Sequence, residues 1–392
     1  MKRRARTSFL GLAATLALLL GCGGNVNLGG KGSDGGSTPK DETPTTTEPD
    51  PSASTSVVKL PEVMLDDLVV AGDYLYVTAY GAATQGLYRC NKESCKATLK
   101  LVAKGGFAFP QVLGDRLGVT RFFNDTGGRF DLMTFALPDA SDPQIVVGDL
   151  PAIQVTPGLF TKDFVYFALL MDRTIYRCAQ PNCSAGPEQI APNPAVNYTK
   201  LEAEAGLLFW TDGTIIYRTS NDGLTPVEAL LPDEQLSKAP ADASTSETYP
   251  LDGVQSIAVQ NGMIYAAVAR SQDGRPCDSF CPHQIVGWPV NGGAIQVFLE
   301  SDTRIRNVAI VDGELLWLGP SETPNDAATM STCRVEACEA TQRKLGETIA
   351  DYGVFATDDK HVYWFEAKAQ TTDFFSGFEV DEIRRAKRLP KP

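Results

Sequence analysis

The sequence predicts an all-β fold, a β-propeller of seven four-stranded blades, on three observations. An apolar run, a small polar turn and an apolar-aromatic run recur from residue 57 onward at intervals of about 42–56 residues. One or two further β-rich runs follow most copies, which makes four strands per period, the content of one propeller blade. Residues 57–392 also divide into seven parts of about 48 residues. Six blades is the alternative, because the second copy is the faintest.

Residues 1–21 read as an address. Lys2, Arg3, Arg4 and Arg6 precede the apolar run Phe9 to Leu20. That run is shorter than the about 20 residues a bilayer-spanning helix needs, and the pattern is that of a secretory signal. It closes on Leu19-Leu20-Gly21-Cys22. These four residues resemble a bacterial lipobox, which implies cleavage before Cys22, acyl chains on Cys22 and stable membrane anchorage through them. Gly23 in place of an aspartate is similar to the pattern that Gram-negative cells send to the outer membrane.

Residues 22–56 are expected to be the lipidated cysteine and a flexible tether. Of the 34 residues from 23 to 56, 22 are Gly, Ser, Thr or Pro. Such a coil spans roughly 30–35 Å and builds no core. Gly29-Gly30-Lys31-Gly32-Ser33-Asp34 matches one calcium nonapeptide repeat. Those repeats bind calcium only when stacked, so a single copy carries no metal assignment.

From residue 57 the recurring segments cover 68–76, 112–118, 160–166, 201–209, 257–265, 308–316 and 355–363. Each reads as a β-hairpin, because turns such as Asn261-Gly262 and Asp312-Gly313 accept the positive φ a tight hairpin needs. Third runs follow at 86–90, 174–178, 215–218 and 382–386, and fourth runs at 98–102, 144–147, 227–231 and 295–299. The seventh unit lacks a fourth run, whereas Val57-Val58-Lys59-Leu60 stands unassigned before the first. An open ring would expose strand edges, so the N-terminal strand is expected to join the last blade.

Phe209-Trp210-Thr211-Asp212, Leu316-Trp317 and Tyr363-Trp364 resemble the YWTD class of propellers. Tyr-Arg-Cys with a second cysteine five positions on, at Cys90 and Cys178, is similar to repeats of exported bacterial lipoproteins of unknown function. The resemblance implies fold and address and brings no catalytic residue with it.

Nine cysteines divide into Cys22 and four close pairs: Cys90 with Cys95, Cys178 with Cys183, Cys277 with Cys281, and Cys333 with Cys338. Even, local pairs behind an export signal predict disulfides. Zinc is the competing reading, but pairs in different blades lie too far apart to share an ion.

The formal net charge is −13, and loss of the first 21 residues makes it four units more negative. A surface that acidic disfavours nucleic-acid partners. The sequence holds two histidines and no G-x-S-x-G, H-E-x-x-H or P-loop motif. No metal, cofactor or catalytic residue is therefore assigned. With strands lettered A to D from the axis outward, the long connections 232–251, 271–284, 319–325 and 367–380 all fall on the B–C and D–A face. That face supplies a candidate binding rim of Tyr249, Arg275, Phe280, His283, Phe374, Phe375 and Phe378, expected to be exposed.

The reading is a cell-envelope interaction module, anchored to the membrane through Cys22, whose partner is an envelope protein or glycan. The alternatives are an exported propeller enzyme, of lyase or hydrolase type with paired carboxylates at the central channel, and a purely structural envelope protein. Arg89, Arg177 and Arg218, each following a Tyr, are expected on outer strands with their charge in water.

Overall fold

The computed structural model describes residues 54–390 except 60–63, 81–84, 124–127, 152–157, 170–173, 193–200, 214, 231–250, 271–282, 302–304, 321–326, 350–353 and 369–378. The expected signal, Cys22 and nearly all of the tether lie outside these residues. The described residues form one compact unit.

After β1 (Thr55–Lys59), blade 1 holds β2 (Met64–Ala71), β3 (Tyr74–Tyr80), β4 (Gly86–Asn91) and β5 (Lys100–Lys104). Blade 2 holds β6 (Gly106–Leu113), β7 (Arg116–Phe123), β8 (Arg129–Ala136) and β9 (Ser141–Pro151). Blade 3 holds β10 (Leu159–Phe160), β11 (Phe164–Leu169), β12 (Thr174–Ala179) and β13 (Glu188–Pro192). Blade 4 holds β14 (Leu201–Glu204), β15 (Leu207–Thr211), β16 (Ile216–Ser220) and β17 (Glu228–Leu230). Blade 5 holds β18 (Leu251–Gln260), β19 (Met263–Arg270), β20 (His283–Pro289) and β21 (Gln296–Ser301). Blade 6 holds β22 (Arg306–Val311), β23 (Glu314–Pro320), β24 (Ala327–Arg334) and β25 (Arg343–Ile349). Blade 7 holds β26 (Phe355–Thr357), β27 (His361–Lys368) and β28 (Glu379–Lys387).

Each blade is a four-stranded antiparallel meander, and the seventh takes β1 as its outermost strand. The first strands of neighbouring blades touch one another at six of the seven junctions, which makes them the inner wall of a ring. Seven apolar clusters form among the described residues, one at each blade interface. Adjacent residues of a strand serve opposite interfaces, since side chains alternate across a strand. Phe209 packs toward blade 5 and Trp210 toward blade 3. Likewise Trp317 faces blade 5 and Leu316 faces blade 7. Both faces of every blade are buried, so the second strands read as continuous apolar runs rather than as alternating ones.

The N-terminal strand closes the ring as expected. Ser56 pairs with Arg384, Val58 with Ile383 and Lys59 with Glu382. Val58 is 3% exposed and sits in the cluster shared by blades 7 and 1. Strand β1 starts at Thr55, inside the stretch expected to be tether, because strand pairing carries on past the apolar residues into Thr55 and Ser56.

Three of the cysteine pairs form disulfides: Cys90–Cys95, Cys178–Cys183 and Cys333–Cys338. Cys277 and Cys281, the fourth expected pair, lie outside the described residues. All three observed bonds bridge the C–D connection of a blade. In blades 1 and 6 that connection is a single helical turn, α1 (Cys95–Thr98) and α2 (Cys338–Thr341). Equivalent threonines fix both turns. The Thr98 hydroxyl accepts from Asn91 N and donates to Ser94 O, each at 2.9 Å. The Thr341 hydroxyl does the same with Arg334 N and Ala337 O, at 2.8 and 2.7 Å. The Cys333→Ala/Cys338→Ala double variant is expected to lose about 2 kcal/mol, the chain-entropy value for so short a loop, and a shift in urea midpoint measures it.

The arginines after tyrosine do not hold their charge in water. Arg89 bonds Pro138 O and Asp139 in the C–D turn of the next blade. Arg177 bonds Asn221 O at 2.8 Å, and Arg218 bonds Val290 O, again one blade on. In register opposite Arg89 and Arg177 stand Tyr76 and Tyr166, whose hydroxyls donate to the same two carbonyls. A carbonyl at a blade edge needs a donor, and the twist of the ring brings it within reach of the preceding blade.

Candidate functional site at the channel mouth

Four inner strands are bulged near their beginnings, on the B–C and D–A face. In β2 the register jumps from Leu65↔Ala79 to Asp67↔Thr78, which leaves Asp66 as the extra residue. In β6 it jumps from Ala108↔Thr120 to Gln111↔Gly118 across Phe109 and Pro110. Pro110 has no N–H to offer a ladder, so a bulge is where a proline fits. Strand β18 skips twice, before Gly253 and before Ser256. Strand β22 skips at Asn307, whose φ is 41°. Bulges re-aim side chains and flare a sheet, and here they fall in blades 1, 2, 5 and 6 at one mouth of the channel.

Blades 1 and 2 meet in a specific contact at this mouth. Asp67 Oδ1 accepts from Leu68 N at 2.9 Å, and Oδ2 accepts from Phe109 N at 3.0 Å. The Asp67 carbonyl accepts from Thr78 Oγ1 at 3.4 Å. Burial, with the neighbouring Asp66 charge, pushes the Asp67 carboxyl up to about 8, against the pull of the two N–H bonds. Burial also raises Asp66. Near neutral pH the pair therefore holds a proton.

Phe109 is exposed at 37% with φ at 54°. A bulky residue in the left-handed region is strained unless its surroundings hold it there. Here the Asp67 carboxyl grips its N–H, and its ring meets Phe122 edge-on at 6.4 Å. One blade further on, Gln111 donates to Gly158 O at 2.7 Å and accepts from Phe160 N at 3.0 Å, which fixes the same strand to blade 3.

Of the expected rim, Tyr249, Arg275, Phe280, Phe374, Phe375 and Phe378 lie outside the described residues. His283 does not fit the expectation: it is 3% exposed. It opens β20, a strand flanked on both sides, and pairs with Ala269 and Ser301. His361, at the start of β27, is half-buried. Among the described residues no three His, Cys, Asp or Glu side chains gather as a metal site would require. No helix among them is long and apolar enough to cross a membrane.

Asp66, Asp67 and Phe109 were not singled out by the sequence. Two signals stood there: a charged pair inside the apolar run Met64 to Ala71, and Phe109-Pro110 inside a strand.

No protein-family model matches the chain, and no curated protein matches it. Solved structures do. The β-propeller domain of the Trilobed protease from Pyrococcus furiosus superposes with a TM-score of 0.53 at 10% identity, over 77% of this chain and 91% of that one. An acylaminoacyl peptidase gives a TM-score of 0.52 at 10% identity, over 77% of this chain. A prolyl endopeptidase gives 0.51 at 10% identity, over 79% of this chain. The chain spans 49% and 46% of the length of those two peptidases. At such identity the likeness is one of fold. The Pyrococcus propeller is described as having an open velcro topology; in the present ring β1 closes the last blade.

Proposed function

We propose that the chain is an exported interaction module that engages its partner, an envelope protein or glycan, on the B–C and D–A face, at the channel mouth. Lipidation at Cys22 holds it at the cell envelope, and residues 23–54 set the propeller off the membrane surface by roughly 30 Å. The observation that carries the reading is Phe109, an exposed aromatic ring held at a strained backbone position by the Asp67 carboxyl of the neighbouring blade. Strain of that kind accompanies ligand contacts, and aromatic side chains dominate interface energetics. The three disulfides fit an oxidising compartment.

The test is site-directed photo-crosslinking in envelope preparations. A photoreactive phenylalanine at position 109 is expected to give one discrete adduct. The same group at Leu224, 83% exposed on the C–D turn of blade 4, is expected to give none. Adducts of equal yield at both positions, or none at 109, would refute this face as the docking surface.

A second reading, an enzyme with its site at the channel, draws on the raised carboxyl of Asp67 beside Asp66, since a proton donor near neutral pH is what acid catalysis requires. Under that reading Asp67→Asn abolishes turnover of a substrate that still binds, whereas under the first it changes binding alone.

A further inference from the structure

The face opposite the channel mouth carries a cleft of about 420 Å³. Its wall is the A–B turn of blade 7 together with the tail that leaves β28. Strand pairing sets Lys387 opposite His361. Arg388 N then donates to Lys360 O at 2.7 Å, which holds the tail against the turn. Leu389 and Pro390 complete the lining and supply its apolar side.

The charges of the lining divide into two kinds. The Arg388 guanidinium is spent, bonding Glu314 at 2.8 Å, Asp312 at 3.3 Å and the carbonyls of Asp358 and Val311 at 3.0 and 2.6 Å. Lys360 and Lys387 are exposed, and among the described residues neither ammonium has a hydrogen-bond or ion-pair partner. His361 Nδ1 is buried and lies 3.7 Å from Asp358 Oδ1, beyond hydrogen-bond reach. The one carboxylate in the lining is Asp359. In a chain whose formal net charge is −13, two lysines without an ion-pair partner in the lining of one cleft, against a single lining carboxylate, are a local excess of positive charge.

We infer that this cleft binds a small organic anion: a phosphate or carboxylate head on Lys360 and Lys387, with a compact apolar body against Leu389 and Pro390. The volume falls in the range of small-molecule sites, about 300–1,000 Å³. Charge-assisted hydrogen bonds from two lysines supply the attraction, and the apolar wall separates this ligand from a bare inorganic ion. The site stands on the face away from the proposed docking surface and does not depend on it.

Calorimetric titration of the full chain with phenyl phosphate, and separately with benzoate, tests the inference. Saturable one-to-one binding of at least one probe is expected, weakened about tenfold or more by the Lys360→Gln/Lys387→Gln double variant. The control is Lys100→Gln/Lys104→Gln, two exposed lysines of β5, which should bind as the parent does. Both substitutions in the test variant are at exposed side chains, so its thermal midpoint is expected to match the parent and to certify its fold. Loss with phenyl phosphate alone assigns a phosphate head, and loss with benzoate alone a carboxylate. Absence of saturable heat with both probes, or equal weakening by the control variant, overturns the inference.

Discussion

Asp358→Ala is expected to weaken the closed ring by about 3–5 kcal/mol, the range for removing one partner of a buried ion pair. Asp358 sits where the last blade meets the first. Its Oδ2 takes Lys92 Nζ from blade 1 at 2.7 Å and the Tyr363 hydroxyl at 3.0 Å. Its Oδ1 takes the backbone N–H groups of Lys360 and His361, each at 2.7 Å. The side chains of Asp358 and Lys92 are 8% and 15% exposed, so deletion strands a largely buried cation and takes the acceptor from three neutral donors, two of them part-buried. Asp358→Asn keeps an acceptor for the N–H groups but no charge for Lys92, and its loss should fall between the two. Urea unfolding at pH 7 reads both values.

The same residue sets an acid limit. Burial alone would raise the Asp358 carboxyl, but Lys92, the two N–H groups and Tyr363 outweigh it and bring it down to about 2. A carboxyl depressed in the folded state contributes stability that is present above its ordinary value near 4 and lost as pH falls through its folded value near 2. The parent should lose stability steeply between about pH 4 and pH 2, and the alanine variant should have a flatter limb there.

Blade count and closure could be read from the chain because a propeller repeats a local pattern. Hairpin turns, apolar runs on both faces and the leftover strand before blade 1 are all short-range signals. The faint second unit has a physical cause in its third dimension. Gly118 stands where five of the other six units carry an aromatic, because a Cβ there would lie 2.6–2.8 Å from the Phe160 ring of blade 3. That ring fills the space from the neighbouring blade, which a search for like residues at like positions does not detect. The arginine contacts were hidden for a similar reason. Arg89 and Arg177 are outer-strand residues by pattern, and only the placement of the next blade's turn shows that their charge meets a carbonyl and a carboxylate rather than water.

The channel mouth was legible only in part. The sequence located the long connections on one face, and that face is where the inner strands flare. What it missed is the contact of Asp67 with Phe109, 42 residues apart, which exists only once two blades stand side by side. Its choice of His283 for the rim failed because position in a loop-rich stretch was taken for exposure. The strand that His283 opens is buried from its first residue through Trp288, with neighbouring blades packed on both faces, so the side chain is buried with it.

Arg388→Met is expected to cost about 3–5 kcal/mol, and Glu314→Gln added to it should restore much of that loss. The argument rests on which charge is left behind. Glu314 is 0% exposed and the Arg388 side chain 4%, joined at 2.8 Å across blades 6 and 7. Glu314 also accepts from Thr332 Oγ1 at 2.8 Å and from Leu389 N at 3.2 Å. With Met at 388 the carboxylate keeps two neutral donors and loses its counter-ion, the expensive case for a buried charge. A glutamine at 314 still accepts from Thr332 and Leu389 through its amide oxygen and needs no counter-ion. The double variant should therefore lie within about 1–2 kcal/mol of the parent, and the coupling in the four-member cycle should exceed about 1 kcal/mol. Equal stability of the single and double variants would mean that packing of the tail, and not the buried pair, joins blade 7 to blade 6. The apolar cluster that Leu316, Leu318 and Met330 share with Val362 and Trp364 would then carry that junction together with the tail.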